Sequence, residues 1–259
     1  MTDVAEILES RADPTRADQT PTFTFFTPTR NRAQVLHRVY DSLRVQTRRD
    51  FEWVVVDNCS EDNTREVVSQ WFGEAPFPIK YVRPSENRGL GNSYQLAMSY
   101  ARGELIFTIR DADAFEPNTI ERMADHWYAI PAAERDGYVG VSCNTHDENH
   151  VLIGTRFPSD VFDSDYCEST YRSHVSGEKW GMQRLDLMRE YMLPPPKGYL
   201  GWYPESIVWR RIAQRYQTRY INDEACAPPT TRMSRARVSE GRRLGGAMPM
   251  ACPSILARH

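Results

Sequence analysis

Leu105-Ile106-Phe107-Thr108-Ile109-Arg110-Asp111-Ala112-Asp113 reads as a short apolar strand running directly into a charged turn. A bounded apolar run of this length suits a strand buried on both faces. Upstream, Phe51-Glu52-Trp53-Val54-Val55-Val56 repeats the pattern and ends in the polar turn Asp57-Asn58-Cys59-Ser60. Further back, Thr22-Phe23-Thr24-Phe25-Phe26 is β-rich and is stopped by Thr27-Pro28-Thr29. Helical spacing fills the gaps. Val35, Leu36, Val39 and Leu43 mark a helix over 34–45, and further helices are predicted over 64–72, 92–101 and 119–128. Asp62 or Asn63 can cap the second of these. A short strand at 79–82 completes the rhythm. Strand and helix in this alternation specify a parallel sheet with right-handed crossovers. Ligands of such sheets lie outside the carboxyl ends of the strands, where the polar clusters at 27–31, 57–60 and 111–113 all fall.

Past residue 135 the pattern changes. Strands are expected at 138–143 and 151–154 in a more mixed arrangement, and an amphipathic helix at 206–216. Residues 1–20 read as a flexible leader and 225–259 as an extended or poorly ordered tail, with 21–137 and 138–224 as two halves of one domain. Five cysteines without CxxC spacing suit reduced thiols rather than a disulfide or zinc framework. The net charge of -3 gives no reason to expect a nucleic-acid partner. No stretch approaches the roughly 20 apolar residues of a membrane span. The expected location is therefore cytoplasmic.

Several segments, in register, resemble the family 2 glycosyltransferases of GT-A fold, particularly bacterial enzymes of polysaccharide or cell-surface assembly. They are Phe26-Thr27-Pro28-Thr29-Arg30-Asn31-Arg32, Leu43-Arg44-Val45-Gln46-Thr47, Asp50 to Asp57, Ser60-Glu61-Asp62-Asn63-Thr64, Glu86-Asn87-Arg88-Gly89 and Ala101-Arg102-Gly103-Glu104. In the second half, Ser176-Gly177-Glu178-Lys179-Trp180-Gly181 and Pro204-Glu205-Ser206 look like acceptor-side motifs. The resemblance covers about 22–222. It implies an α/β fold with a Rossmann-like nucleotide-binding half and a mixed acceptor-binding half.

It also implies roles. The expected activity is inverting transfer from a nucleoside-diphosphate sugar, UDP-linked by preference, to a glycan, lipid-linked or other hydroxyl acceptor. Thr27, Pro28, Thr29, Arg32, Asp57, Asn58, Arg88 and Asp111 would bind the nucleotide. Asn58 stands where the family usually has the acid that accepts the uracil N3–H, and an amide oxygen can accept the same hydrogen. Asp113 and Asp111 would hold Mg²⁺ or Mn²⁺, hard cations that take carboxylate and phosphate oxygens. The family's usual D-x-D-D is altered: counted back from Pro117, its last acid matches Asp113, while Arg110 and Ala112 replace two others. Asp113 is thus the firmer ligand, and Asp111 a displaced substitute. Glu205 would be the base, and Glu178, Lys179, Trp180 and Trp202 would contact acceptor or sugar.

Plainer readings stand beside these. A turn Asp, a surface Arg, a core Trp or an acid favoured by a helix N-terminus would each leave the same residue in place. The Arg-rich tail can meet anionic headgroups at the inner membrane face or simply be solvated. A non-catalytic nucleotide-sugar-binding module and a sugar-nucleotidyltransferase are the alternatives. The latter needs a glycine-rich phosphate cradle, which Thr27-Pro28-Thr29-Arg30 lacks.

Overall fold

The computed structural model describes residues 4–10, 20–147, 149–196, 198–200, 205–223 and 229–230. Its first half alternates strand and helix as expected: β2 (Phe23–Thr29), α1 (Ala33–Arg44), β3 (Phe51–Asp57), α2 (Thr64–Trp71), β4 (Ile79–Pro84), α3 (Gly89–Tyr100), β5 (Leu105–Thr108) and α4 (Thr119–Tyr128). β4, β3, β2 and β5 lie side by side and parallel, in that order.

The alternation of side chains sorts these strands onto two cores. On one face Phe23, Phe25, Trp53, Val55 and Phe107 meet Leu36, Val39 and Leu43 of α1, Val68 of α2, and Met123 and Trp127 of α4. On the other, Phe26, Val54, Val56 and Ile106 meet Tyr94, Leu96 and Ala97 of α3. Every residue of β3 is buried, as a central parallel strand requires. Asp62 rather than Asn63 serves the start of α2: its Oδ1 accepts from Thr64 N at 3.1 Å, while Oδ2 accepts from Ala33 N of α1, also at 3.1 Å.

The second half joins the same sheet. β6 (Tyr138–Asn144), β8 (Val161–Ser164), β9 (Lys179–Arg184) and β10 (Gln217–Ile221) extend it, and β7 (His146–Asp147) pairs separately with β11 (Pro229–Thr230). β9 runs antiparallel between β5 and β6. Its first residues therefore lie at the carboxyl edge of the parallel strands. α5 (Leu185–Tyr191) and α6 (Glu205–Ile212) then cover the α3 face.

Three expectations are corrected. Within the supposed leader, Val4–Glu9 forms strand β1, antiparallel to β4 at the sheet edge. Residues 151–154 form no strand beyond an isolated bridge from Leu152 to His146. There Asp147 Oδ1 collects the backbone N–H groups of Asn149 and Val151, and Gly154 has φ +93°, so the chain turns instead of extending. The last helix ends at Ile212, not at residue 216. Trp202 and nearly all of the tail lie outside the described residues, as do the tail's arginines.

Candidate active site

Three turns at the carboxyl edge are tied into one floor. Asn31, at φ 52°, donates its backbone N–H to Ser60 Oγ at 2.8 Å and accepts Glu61 N on Oδ1 at 2.7 Å. Asparagine tolerates this left-handed backbone better than most residues. The turn after β2 is thereby locked to the turn after β3. Asn58 extends the lock in both directions: its N–H donates to Thr29 O at 2.9 Å, and its Oδ1 accepts Arg88 N at 3.3 Å. Gly89 follows at φ +78°, and a Cβ there would lie 2.8 Å from the Leu200 backbone. Only glycine fits where these two segments cross.

Asp111 faces this floor. Its Oδ2 receives the Thr29 hydroxyl at 3.4 Å and its Oδ1 faces Arg32 Nε at 3.4 Å. Both contacts are long and therefore weak. Burial pushes its carboxyl above the usual range, and the Arg32 charge opposes that. Asp113 is more deeply set, with 4% of its side chain exposed. Arg110 closes on it: backbone N to Oδ2 at 3.1 Å, Nη2 to Oδ1 at 3.1 Å and Nε to Oδ1 at 3.2 Å. Burial raises this carboxyl too, against the Arg110 charge. The far side of Arg110 reaches Glu178, with Nη1 3.3 Å from Oε1.

These contacts decide how a divalent ion would fit. Among the described residues no group of three His, Cys, Asp or Glu is arranged to hold a metal, so any ion here needs ligands from elsewhere. Mg²⁺ and Mn²⁺ sites commonly take one or two carboxylates and complete the shell with phosphate and water. Asp111 meets that need. Asp113 does not while Arg110 holds both its oxygens, which reverses the order of the two acids expected from the sequence. The net charge of Arg32, Arg110, Asp111, Asp113 and Glu178 is one negative. A diphosphate added there without a cation would meet repulsion.

The base candidate, Glu205, opens α6. Tyr94 of α3 donates its O–H to Glu205 Oε1 at 2.8 Å. Burial lifts the Glu205 carboxyl above its ordinary range; the Tyr94 hydrogen bond opposes this, and the Glu178 charge adds to it. Glu178 thus acts on both groups, through contact with Arg110 and through space toward Glu205.

Other expected site residues turn inward. Asp57 is fully buried, and its oxygens take hydrogen bonds from Ser60 N at 2.8 Å, the Ser60 and Tyr81 hydroxyls, and Arg83 Nη1 at 3.0 Å. No oxygen is left for a nucleotide, so its side chain braces the turn instead. Thr27 is likewise buried, its hydroxyl accepting Trp53 Nε1 at 2.9 Å. Pro28 is partly exposed at the edge, while Thr29 is buried and its carbonyl accepts Asn58 N. Trp180 is core rather than a sugar platform: it stacks on Phe107 with centroids 5.0 Å apart, and its Nε1 donates to Thr108 O at 2.9 Å. Lys179 Nζ bonds Asn144 Oδ1 at 2.8 Å and Thr155 O at 2.7 Å. Burial pulls it down to about 8, and its amino group is committed to the loop rather than to open space.

Sequence reasoning missed Tyr94 and the long-range partners of Asn31 and Asp62, the latter already placed as a cap. The asparagine after Arg30 and the acid before Thr64 carried turn and capping signals, but their partners lie about 30 residues away in the chain. Tyr94 carried no signal beyond helical spacing.

The profile described as Glycosyl transferase family 2 matches residues 24–182. Among curated relatives, an uncharacterized glycosyltransferase of Nostoc sp. is 33% identical over 95 residues, covering 37% of this chain and 29% of its own length. The abequosyltransferase RfbV of Salmonella typhimurium is 31% identical over 98 residues, with the same coverages of 37% and 29%. The matched stretch thus spans less than a third of either relative. Among solved structures, S. aureus TarS in complex with UDP superposes with a TM-score of 0.66 at 20% identity, covering 82% of this chain and 60% of that one. A mannosyltransferase of Pyrobaculum calidifontis in complex with GDP-Man and Mn²⁺ gives 0.59 at 18% identity, covering 89% and 62%. The common architecture is the GT-A fold.

Proposed function

The chain belongs to glycosyl transferase family 2, and we propose that it moves a sugar from a nucleoside-diphosphate donor to an acceptor hydroxyl with inversion, in polysaccharide or cell-surface assembly. What supports this is one juxtaposition: Glu205, a half-buried carboxylate of raised pKa, lies within the electrostatic reach of Glu178, which itself pairs with Arg110 beside Asp113. Perturbed carboxylates gathered in a cleft are what acid–base chemistry at neutral pH needs.

Glu205 takes the proton of the acceptor hydroxyl as its oxygen forms the new bond to the anomeric carbon. The bond from that carbon to the diphosphate oxygen breaks on the opposite face, and the nucleoside diphosphate departs with the electron pair. Arg32 and Arg88 face the departing charge, and the Asn58 amide offers an acceptor and a donor to the base. UDP is the favoured nucleotide; RfbV is similar in sequence and TarS in fold, and neither decides the sugar. Asp111 is the residue that would hold Mg²⁺ or Mn²⁺. Such an ion, when bound, supplies Lewis-acid stabilisation of the leaving diphosphate.

No helix among the described residues is long and apolar enough to cross a membrane. We place the protein in the cytoplasm, with contact to the inner membrane face resting on the basic tail alone. The test is hydrolysis and transfer across a panel of UDP- and GDP-sugars, with and without Mn²⁺. Turnover of at least one donor, lost in Glu205→Gln with nucleotide affinity retained, is expected. Undiminished turnover by Glu205→Gln would remove Glu205 as the base. Nucleotide binding without turnover of any donor would favour a binding module.

A further inference from the structure

Tyr94 lies five residues into α3, the helix that begins at the Arg88-Gly89 loop. It is 7% exposed, and its ring meets Phe26 edge-on with centroids 5.1 Å apart. The phenol is thus fixed by strand β2 on one side and by its own helix on the other. From that position its O–H reaches Glu205 Oε1 at 2.8 Å, across 111 residues of sequence. Among the described residues no basic side chain pairs with Glu205. Among these residues the groups that act on it are Tyr94 from α3 and Glu178 from the segment before β9.

A carboxylate with neither a donor nor a counter-ion can rotate, and either of its oxygens can face the acceptor. A single fixed donor removes that freedom. We propose that Tyr94 is the positioning residue of the base: by holding Oε1 it leaves Oε2 as the oxygen presented to the acceptor hydroxyl. This rests on Glu205 being the base. The phenol also favours the ionised carboxylate, against burial and against the like charge of Glu178. It can only donate here, because an ionised carboxylate is acceptor-only. The helix that carries Tyr94 starts at the donor-side loop, so the orientation of the base and the seating of that loop share one rigid element.

The substitution that tests this is Tyr94→Phe, which keeps the ring against Phe26 and removes only the O–H. The probe reaction is hydrolysis of whichever UDP- or GDP-sugar the wild-type protein turns over, water standing in for the acceptor. The expected result is a fall in kcat of about tenfold or more, the scale of a lost hydrogen bond to a charged group, with donor KM within about twofold. The acidic limb of the kcat/KM profile should move to higher pH. A second readout needs no substrate: with ¹³C-labelled glutamate, the carboxyl resonance missing from Glu205→Gln identifies Glu205. Its titration should also move to higher pH in Tyr94→Phe. An unchanged titration and an unchanged kcat would overturn the role of Tyr94 while leaving Glu205 as the base. Full activity in Glu205→Gln would remove the base and Tyr94's role with it.

Discussion

Arg110 and Asp113 hold each other within one turn, through the arginine's backbone N–H as well as its guanidinium. The pair occupies the place where the family usually carries acids on both sides. A buried acid has therefore been given its own internal cation. Arg110→Met removes that cation and should destabilise the protein by about 2 kcal/mol, below the 3–5 of a fully buried pair because Arg110 is partly exposed. Without it Asp113, already raised by burial, is raised further, so its contribution is present at low pH and lost as pH rises through the folded-state value. The deficit should shrink on acidification and be largely repaired in Arg110→Met/Asp113→Asn. Thermal unfolding at two pH values checks this, and a deficit that grows on acidification would contradict it.

Glu205 carries a pH dependence of the same sign, here already in the wild-type protein. Its folded pKa is raised, so its favourable contribution is complete below the unfolded value and vanishes as pH rises through the folded one. At neutral pH the ionised side chain therefore destabilises the fold relative to a neutral isostere. Glu205→Gln should melt at a higher temperature than wild type at pH 7, with the difference closing toward pH 4. A lower melting temperature at pH 7 would mean the carboxylate is better solvated than its burial implies.

Asp111 and Asp113 should separate in a metal titration. Among the described residues the Asp111 carboxylate makes only contacts of 3.4 Å, so Asp111→Asn should leave the melting temperature nearly unchanged. The same substitution should weaken Mn²⁺-dependent UDP binding by about tenfold or more, read by calorimetry with and without Mn²⁺. Equal Mn²⁺ dependence in wild type and variant would exclude Asp111 as the holder of the ion.

Asp57 and Asn58, neighbours in sequence, should behave as a structural and a ligand-side residue respectively. Asp57→Ala leaves the Tyr81 hydroxyl and Arg83 without their buried acceptor and should cost about 3 kcal/mol or more. Asn58→Ala frees only the Arg88 N–H and should chiefly raise the nucleotide Kd. Paired melting and binding measurements separate them; a stable Asp57→Ala with lost nucleotide affinity would reverse the assignment.

The parallel half was legible because β2, β3 and β5 are apolar runs with turn residues at their ends. The direction of side chains at those ends was not. β3 is buried on both faces, so periodicity gives no sign of whether Asp57 points to the cleft or to Tyr81. Trp180 was open between platform and core for the same reason: only the register of β9 against β5 sets it over Phe107. Val4–Glu9 carries two glutamates in six residues, of which Glu6 is matched by Arg65 and Glu9 by Lys80, and without those distant partners it looked like leader. Tyr94 and Glu205 are 111 residues apart, beyond anything local spacing can join.

The seating of β9 between β5 and β6 bears on how such proteins can diverge. A single ladder of hydrogen bonds runs through the junction of the two halves, so neither can be traded for a relative's counterpart without breaking pairings in mid-sheet. A chimera joined near residue 138 would expose the edge of β5 and should aggregate. The segment at 165–178 interrupts no strand of the sheet, and new specificities are more readily grafted there.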